Sequence, residues 1–144
     1  MFVLIVGAGR VGSAIAKSLL ASGHEVSVLD EDQLSHEHLD AGQARSWEES
    51  DGMFTLGTAL ETDALIQAGI ERADVFIAST DGDNTNLIIA QIAQRRFGVE
   101  KVLVRVMDPA RAAWYSEQGL YTISPTKHAI EMFESALATA RSES

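Results

Sequence analysis

Three glycines set between an apolar run and a helical pattern, in the stretch VLIVGAGRVGSAIAKSL from Val3 to Leu19, restrict what this chain can build more than any other feature. Gly7-Ala8-Gly9-Arg10-Val11-Gly12 matches G-x-G-x-x-G, with a strand expected before it and an amphipathic helix after it. In that setting the first glycine permits a tight turn, the second lets a pyrophosphate approach the backbone, and the third lets helix and strand pack closely. The start of the helix then offers unpaired N–H groups and the positive end of its dipole to phosphate. Without a ligand, the same glycines make only a strand-to-helix turn.

The remainder of the chain repeats the strand-then-helix alternation. Short runs rich in Val, Ile and Phe recur at Phe2 to Val6, Glu25 to Leu29, Met53 to Leu56, Asp74 to Ser79, Lys101 to Val106 and Tyr121 to Ser124. Between them lie helically spaced residues such as Val11, Ile15, Leu19 and Leu87, Ile88, Ile92. The pattern predicts an α/β fold, a Rossmann-like doubly wound parallel six-stranded sheet covered on both faces, as a single domain. Gly23, Gly69, Gly98 and Gly119 stand where helices should end, and Asp108-Pro109 and Ser124-Pro125 place a capping side chain before a proline at a helix start. The polar segment from Glu31 to Gly52 predicts a short helix around Leu34 and Leu39, then a mobile loop. With 144 residues there is room for one buried core and not for a cofactor domain plus a catalytic domain. That domain is expected over residues 1–141, with a disordered tail at 142–144.

Asp30 ends the second strand eighteen residues past Gly12, where an acidic side chain can take both ribose hydroxyls of an adenosine. Glu31 and Asp32 follow it with no arginine nearby to receive a 2′-phosphate, which disfavours NADP. NAD, ATP, ADP and AMP share a free ribose, so Asp30 does not choose among them. Arg10, inside the glycine loop, could reach a second or third phosphate or one bound by a neighbouring subunit, or simply be a solvated surface arginine.

A formal charge of −10 opposes binding to nucleic acid or to anionic lipid, and no apolar run approaches the length of a membrane span. The chain has no cysteine, hence no disulfide framework or thiolate metal site, and the N-terminus lacks the features of a signal peptide; both fit a cytoplasmic protein. Catalytic signatures are missing. There is no Tyr-x-x-x-Lys pair, nucleophile elbow or Walker loop, and His36 and His38, two residues apart, would not share a helix face as metal ligands. The residues describe a ligand site without evident chemistry, so the chain is not expected to be an enzyme.

GAGRVG, VSVLD, GTALETDALIQAGIERADVFIASTDGDNTN, VLVRVMDP and GLYTISP, in this order, resemble the TrkA/KtrA type of RCK N-terminal (KTN, TrkA-N) domain from Phe2 to about Leu137. That family belongs to regulatory subunits of bacterial potassium uptake systems and to potassium channels. The resemblance implies a cytoplasmic nucleotide sensor, attached to the inner face of the membrane through a potassium transporter or channel subunit. Its ligand would be NAD(H) before ATP, ADP or AMP. It would act as a homo-oligomer, or as a hetero-oligomer with a second TrkA-type subunit, and no C-terminal RCK domain follows in this sequence. By position, Gly7, Gly9, Arg10 and Gly12, with Val11 among them, would hold phosphates and Asp30 the ribose. Thr58, Ala59 and Leu60 would lie along the adenine. Ser79, Thr80 and Asp81 would line the far side of the crevice, and Arg105 would approach from the fifth strand. Thr58 and Thr126 depart from the family: many relatives have an acidic residue or asparagine at the first position, and the ATP-binding branch has a cation-holding glutamate at the second. The alternatives are a small NAD-dependent oxidoreductase subunit, or a structural partner with a degenerate pocket.

The last helix carries a stripe of Ile130, Phe133 and Leu137, widened by Ala129, Met132, Ala136 and Ala140, and the helix from about Asp83 to Phe97 is apolar over more than one face. Such surplus is buried either within a monomer or against a neighbouring subunit. In the family the terminal helix commonly crosses to a neighbour.

Overall fold

The computed structural model describes residues 1–143, and they form a six-stranded, all-parallel sheet with helices on both faces. The strands are β1 (Phe2–Val6), β2 (Glu25–Asp30), β3 (Met53–Leu56), β4 (Val75–Ala78), β5 (Lys101–Arg105) and β6 (Tyr121–Ile123). The helices are α1 (Arg10–Ala21), α2 (Ser35–Asp40), α3 (Thr62–Gln67), α4 (Asp83–Gln91), α5 (Pro109–Glu117) and α6 (Pro125–Glu143). A 3₁₀ turn at Ile70–Arg72 follows α3, and a π-helical turn at Ile92–Arg96 extends α4. Strand order is β3-β2-β1-β4-β5-β6, the doubly wound Rossmann order.

The alternation within β1 shows why both faces must be covered. Phe2, Leu4 and Val6 join one core with Leu65 of α3, Leu87 and Ile89 of α4 and Ala112 of α5. Val3 and Ile5 join the other, with Ala16 of α1, Leu39 of α2 and Trp47. An all-parallel sheet with central strands apolar on both sides has no stable solvent-facing side. Local punctuation follows the sequence. Gly23, Gly69, Gly98 and Gly119 have φ of 91°, 100°, 63° and 92°. Asp108 accepts a hydrogen bond from the Ala110 N–H at 3.0 Å, and Ser124 Oγ accepts one from Lys127 N–H at 3.3 Å.

One expectation is corrected. After the short helix α2, the stretch expected to be a mobile loop is pinned by Trp47, which is 2% exposed. Its amide donates to Asp40 Oδ1 at 2.8 Å and its indole N–H to the Met53 carbonyl at 2.9 Å. A Cβ on Gly52 would lie 2.2 Å from the ring. A single large aromatic residue thus supplies the burial that the polar composition lacks. Within the stretch expected as a tail at 142–144, α6 runs as far as Glu143, and Ser144 lies outside the described residues.

Beyond its first turn α6 is exposed along its length to residue 140, including Ile130, Met132, Phe133 and Leu137. Its apolar stripe finds no cover within the chain. In α4 the surplus is smaller: Leu87, Ile89, Ala90 and Ala93 are buried, leaving Ile88 exposed.

Candidate functional site

The sheet changes winding direction between β1 and β4, and there, outside the strands' carboxyl ends, the chain leaves a crevice of about 480 Å³. Its floor is the glycine loop. Gly7 has φ of 97°, and a Cβ on it would lie 2.8 Å from the backbone of Ser79 and Thr80, so the β1 and β4 exits touch only because this residue has no side chain. Ser79 Oγ shares its proton between the Val6 and Gly7 carbonyls at 3.1 and 2.9 Å, closing the same seam.

Ala8, at the centre of the loop, is held at both ends of its backbone. Its N–H donates to Asp30 Oδ2 at 2.7 Å, and its carbonyl accepts from His38 Nδ1–H at 2.9 Å. The other Asp30 oxygen takes the Asp32 N–H at 2.8 Å. Asp30 therefore orients the loop, and its remaining lone pairs are available to hydroxyl donors. No side chain caps α1 and no acidic residue occupies its first turn, so the orphan N–H groups there are available to an anion. Gly9 presents backbone with nothing within 4 Å of a notional Cβ, the open approach a phosphate needs.

Of the residues expected at the site, Gly7, Gly9, Asp30, Thr58, Ala59, Leu60, Ser79, Thr80 and Asp81 line this one crevice. Arg10, Val11, Gly12 and Arg105 are not part of its lining. Arg10 and Val11 are exposed on the first turn of α1. Gly12 is a packing residue: a Cβ there would lie 1.8 Å from the Gly7 carbonyl oxygen. Arg105 stands behind the far lip, its guanidinium donating to the Thr80 carbonyl and, at 3.3 Å, to Asp81 Oδ1. Its Nε is buried without a partner.

The wall also contains Glu31 and Asp32, next to Asp30, and groups that sequence spacing did not single out: His38 and Ser35 on the β2 side, and Gly82 and Thr85 on the α4 side. His38 carries no signal in the sequence, since its contact with Ala8 spans thirty positions. The lining carboxylates are Asp30, Glu31, Asp32 and Asp81, with no lysine or arginine among them. An anion entering here would meet the helix-end amides of α1, with Arg10 as the flanking cation.

Among the described residues, one group of three side chains has metal-ligating chemistry: His36, Asp40 and Glu48. The imidazole lies between the carboxylates, Nδ1 at 3.3 Å from Asp40 and Nε2 at 2.5 Å from Glu48, with the Phe54 ring edge-on at 5.1 Å. Both ring nitrogens are engaged, and the cluster fastens the Trp47 loop onto α2.

The TrkA-N domain family model matches residues 3–125. Among curated proteins, the chain is 39% identical over 127 residues to the Trk system potassium uptake protein TrkA of Streptomyces coelicolor, covering 88% of this chain and 54% of that one. It is 33% identical over 135 residues to a TrkA homolog of Methanothermobacter thermautotrophicus, covering 93% and 59%. The chain thus spans a little over half the length of these two relatives. Among solved structures, the TrkA-N domain of the Escherichia coli inner membrane protein ybaL superposes with a TM-score of 0.79 at 20% identity, covering 94% of this chain and 96% of that one. The AMP-bound Kef C-terminal domain of Shewanella denitrificans gives 0.75 at 23% identity, covering 97% and 82%. The GsuK channel bound to NAD gives 0.78 at 20%, covering 98% and 24%.

Proposed function

Because the chain belongs to the TrkA-N domain family, we propose that it binds an adenine nucleotide in the switch-point crevice and serves as a regulatory part of a potassium uptake system. The observation that carries this reading is the preset glycine loop, with Asp30 and His38 holding Ala8 while the amides of the first turn of α1 are left to an anion. The ribose hydroxyls would donate to Asp30, and the adenine would lie along Thr58, Ala59 and Leu60. Phosphates would meet Gly7, Gly9 and the α1 amides, with Arg10 closing from the rim. Ser79, Thr80 and Asp81 form the opposite lip, and NAD(H) is the favoured ligand because the crevice runs from Asp30 to that lip.

The reading is non-catalytic. The crevice lining offers acids, hydroxyls and His38, and His38 Nδ1 is already committed to the loop backbone. Regulation then requires the ligand to favour one arrangement of neighbouring domains over another. The exposed stripe of α6 supplies the contact surface: it pairs with a second copy or with a second TrkA-type subunit, in the cytoplasm, against a membrane potassium transporter or channel. No helix among the described residues is long and apolar enough to cross a membrane.

Calorimetric titration with NADH, NAD, ATP, ADP and AMP tests the reading. Binding of at least one nucleotide at micromolar concentration, lost in Asp30→Ala and weakened in Asp30→Asn, is expected. A chain that binds none of the five while keeping its thermal unfolding transition refutes it.

A further inference from the structure

Asn86 is fully buried in the first turns of α4, and its side-chain amide uses its whole hydrogen-bonding capacity on two segments that are remote in sequence. Oδ1 accepts from the Thr80 N–H at 2.9 Å and from Thr80 Oγ1 at 2.6 Å. Nδ2 donates to the Thr80 carbonyl at 3.0 Å and to the Arg105 carbonyl at 3.0 Å. Two acceptor sites and two protons meet four partners, a pattern that no other side chain of this size reproduces. Aspartate lacks the donors, and leucine would take from the Thr80 N–H and the Arg105 carbonyl the partners Asn86 gives them.

Thr80 is the far lip of the crevice, and Arg105 is the last residue of β5. The connection continues past them. Asp83, one turn before Asn86, accepts the Met107 N–H at 2.8 Å and the Asp108 N–H at 3.2 Å. The Val106 N–H donates to the Ile123 carbonyl at 3.0 Å, and Ser124 Oγ donates to the Met107 carbonyl at 3.4 Å while capping α6. One turn of α4 therefore grips the ligand-facing lip on one side and the segment at the root of α6 on the other.

We propose that Asn86 is a positioning residue that makes the Thr80 lip and the 105–108 segment move as one body, so that occupancy of the crevice is felt at the base of the exposed helix α6. This rests on the nucleotide reading of the crevice. A buried, fully satisfied polar network has few alternative arrangements, and a displacement of Thr80 that kept the four bonds would carry the Arg105 carbonyl with it. Arg105 reinforces the link from the other direction, since its guanidinium returns to the Thr80 carbonyl.

Amide hydrogen exchange of the whole chain, with and without saturating NADH and, separately, ADP, tests the coupling. In the unaltered chain, nucleotide is expected to slow exchange at the glycine-loop amides and also at Val106, Met107 and Asp108. In Asn86→Asp, affinity falls about tenfold, for the loss of two hydrogen bonds. At saturation, protection then persists in the glycine loop and disappears at Val106 to Asp108. Asp83→Ala, which leaves the lip bonded, keeps affinity within about twofold and also loses the nucleotide-dependent protection of Met107 and Asp108. The coupling is refuted if nucleotide binds the unaltered chain without protecting these amides. It is equally refuted if Asn86→Asp, correctly folded and saturated with nucleotide, keeps the protection at Val106 to Asp108, whatever Asp83→Ala does. If none of the five nucleotides binds the unaltered chain, the nucleotide reading itself fails and the coupling with it.

Discussion

A methyl group added at Gly12 would lie 1.8 Å from the Gly7 carbonyl oxygen and 2.9 Å from Ser79 Oγ, whereas one added at Gly9 meets nothing within 4 Å. The backbone of Gly9, at φ −72°, is one that alanine adopts without strain. The two residues thus separate folding from binding. Gly12→Ala is expected to cost about 3 kcal/mol or more, because backbone and not a flexible side chain must give way, and thermal unfolding measures it. Gly9→Ala should leave stability within about 0.5 kcal/mol while weakening nucleotide binding in the same calorimetric titration, since the methyl group stands where phosphate approaches. Equal effects of the two substitutions on both readouts would remove the distinction.

Trp47 decides the fate of an element that composition misrepresents. The segment between α2 and β3 is polar, yet it is fastened by the buried indole and by His36 between Asp40 and Glu48. Trp47→Phe keeps most of the apolar area and loses the bond to Met53, an expected cost of about 1 kcal/mol. Trp47→Ala adds a cavity and should cost about 3 to 5 kcal/mol. Denaturant unfolding distinguishes them, and a cost below about 0.5 kcal/mol for Trp47→Ala would mean that the loop is not held by the ring. Asp108→Ala, removing the cap of α5, should cost about 1 kcal/mol. Cap and glycine positions were legible in the sequence because their partners lie within a few residues. The Trp47 contacts were not, because what they need is the solvent-excluded space between α1, α2 and the sheet.

At the scale of the whole molecule, α6 stands apart. Met132 and Phe133 are each 73% exposed and Leu137 64%, a cluster larger than isolated surface residues explain. With a second copy covering this stripe, light scattering should report a dimer or larger assembly, with an unfolding midpoint that rises with protein concentration. Phe133→Asp combined with Leu137→Asp should give a monomer whose remaining core still unfolds cooperatively, because those side chains touch little of it. An unaltered chain that is monomeric at high micromolar concentration would refute self-pairing through this surface and leave a second TrkA-type subunit as its partner.

Read alone, the sequence determined the class of fold, the strand positions to within a residue or so, and the loop-to-Asp30 spacing, all of which are encoded by periodicity and by partners close along the chain. Tertiary structure decided what those residues do to one another. Asp30 proves to be a ligand of the glycine-loop backbone as well as a candidate ribose acceptor. His38 and Asn86 acquire roles only when α2 folds back on Ala8 and α4 on β5. A side chain's hydrogen-bond partners across a sheet depend on strand order and register, and no local pattern in this chain encodes either.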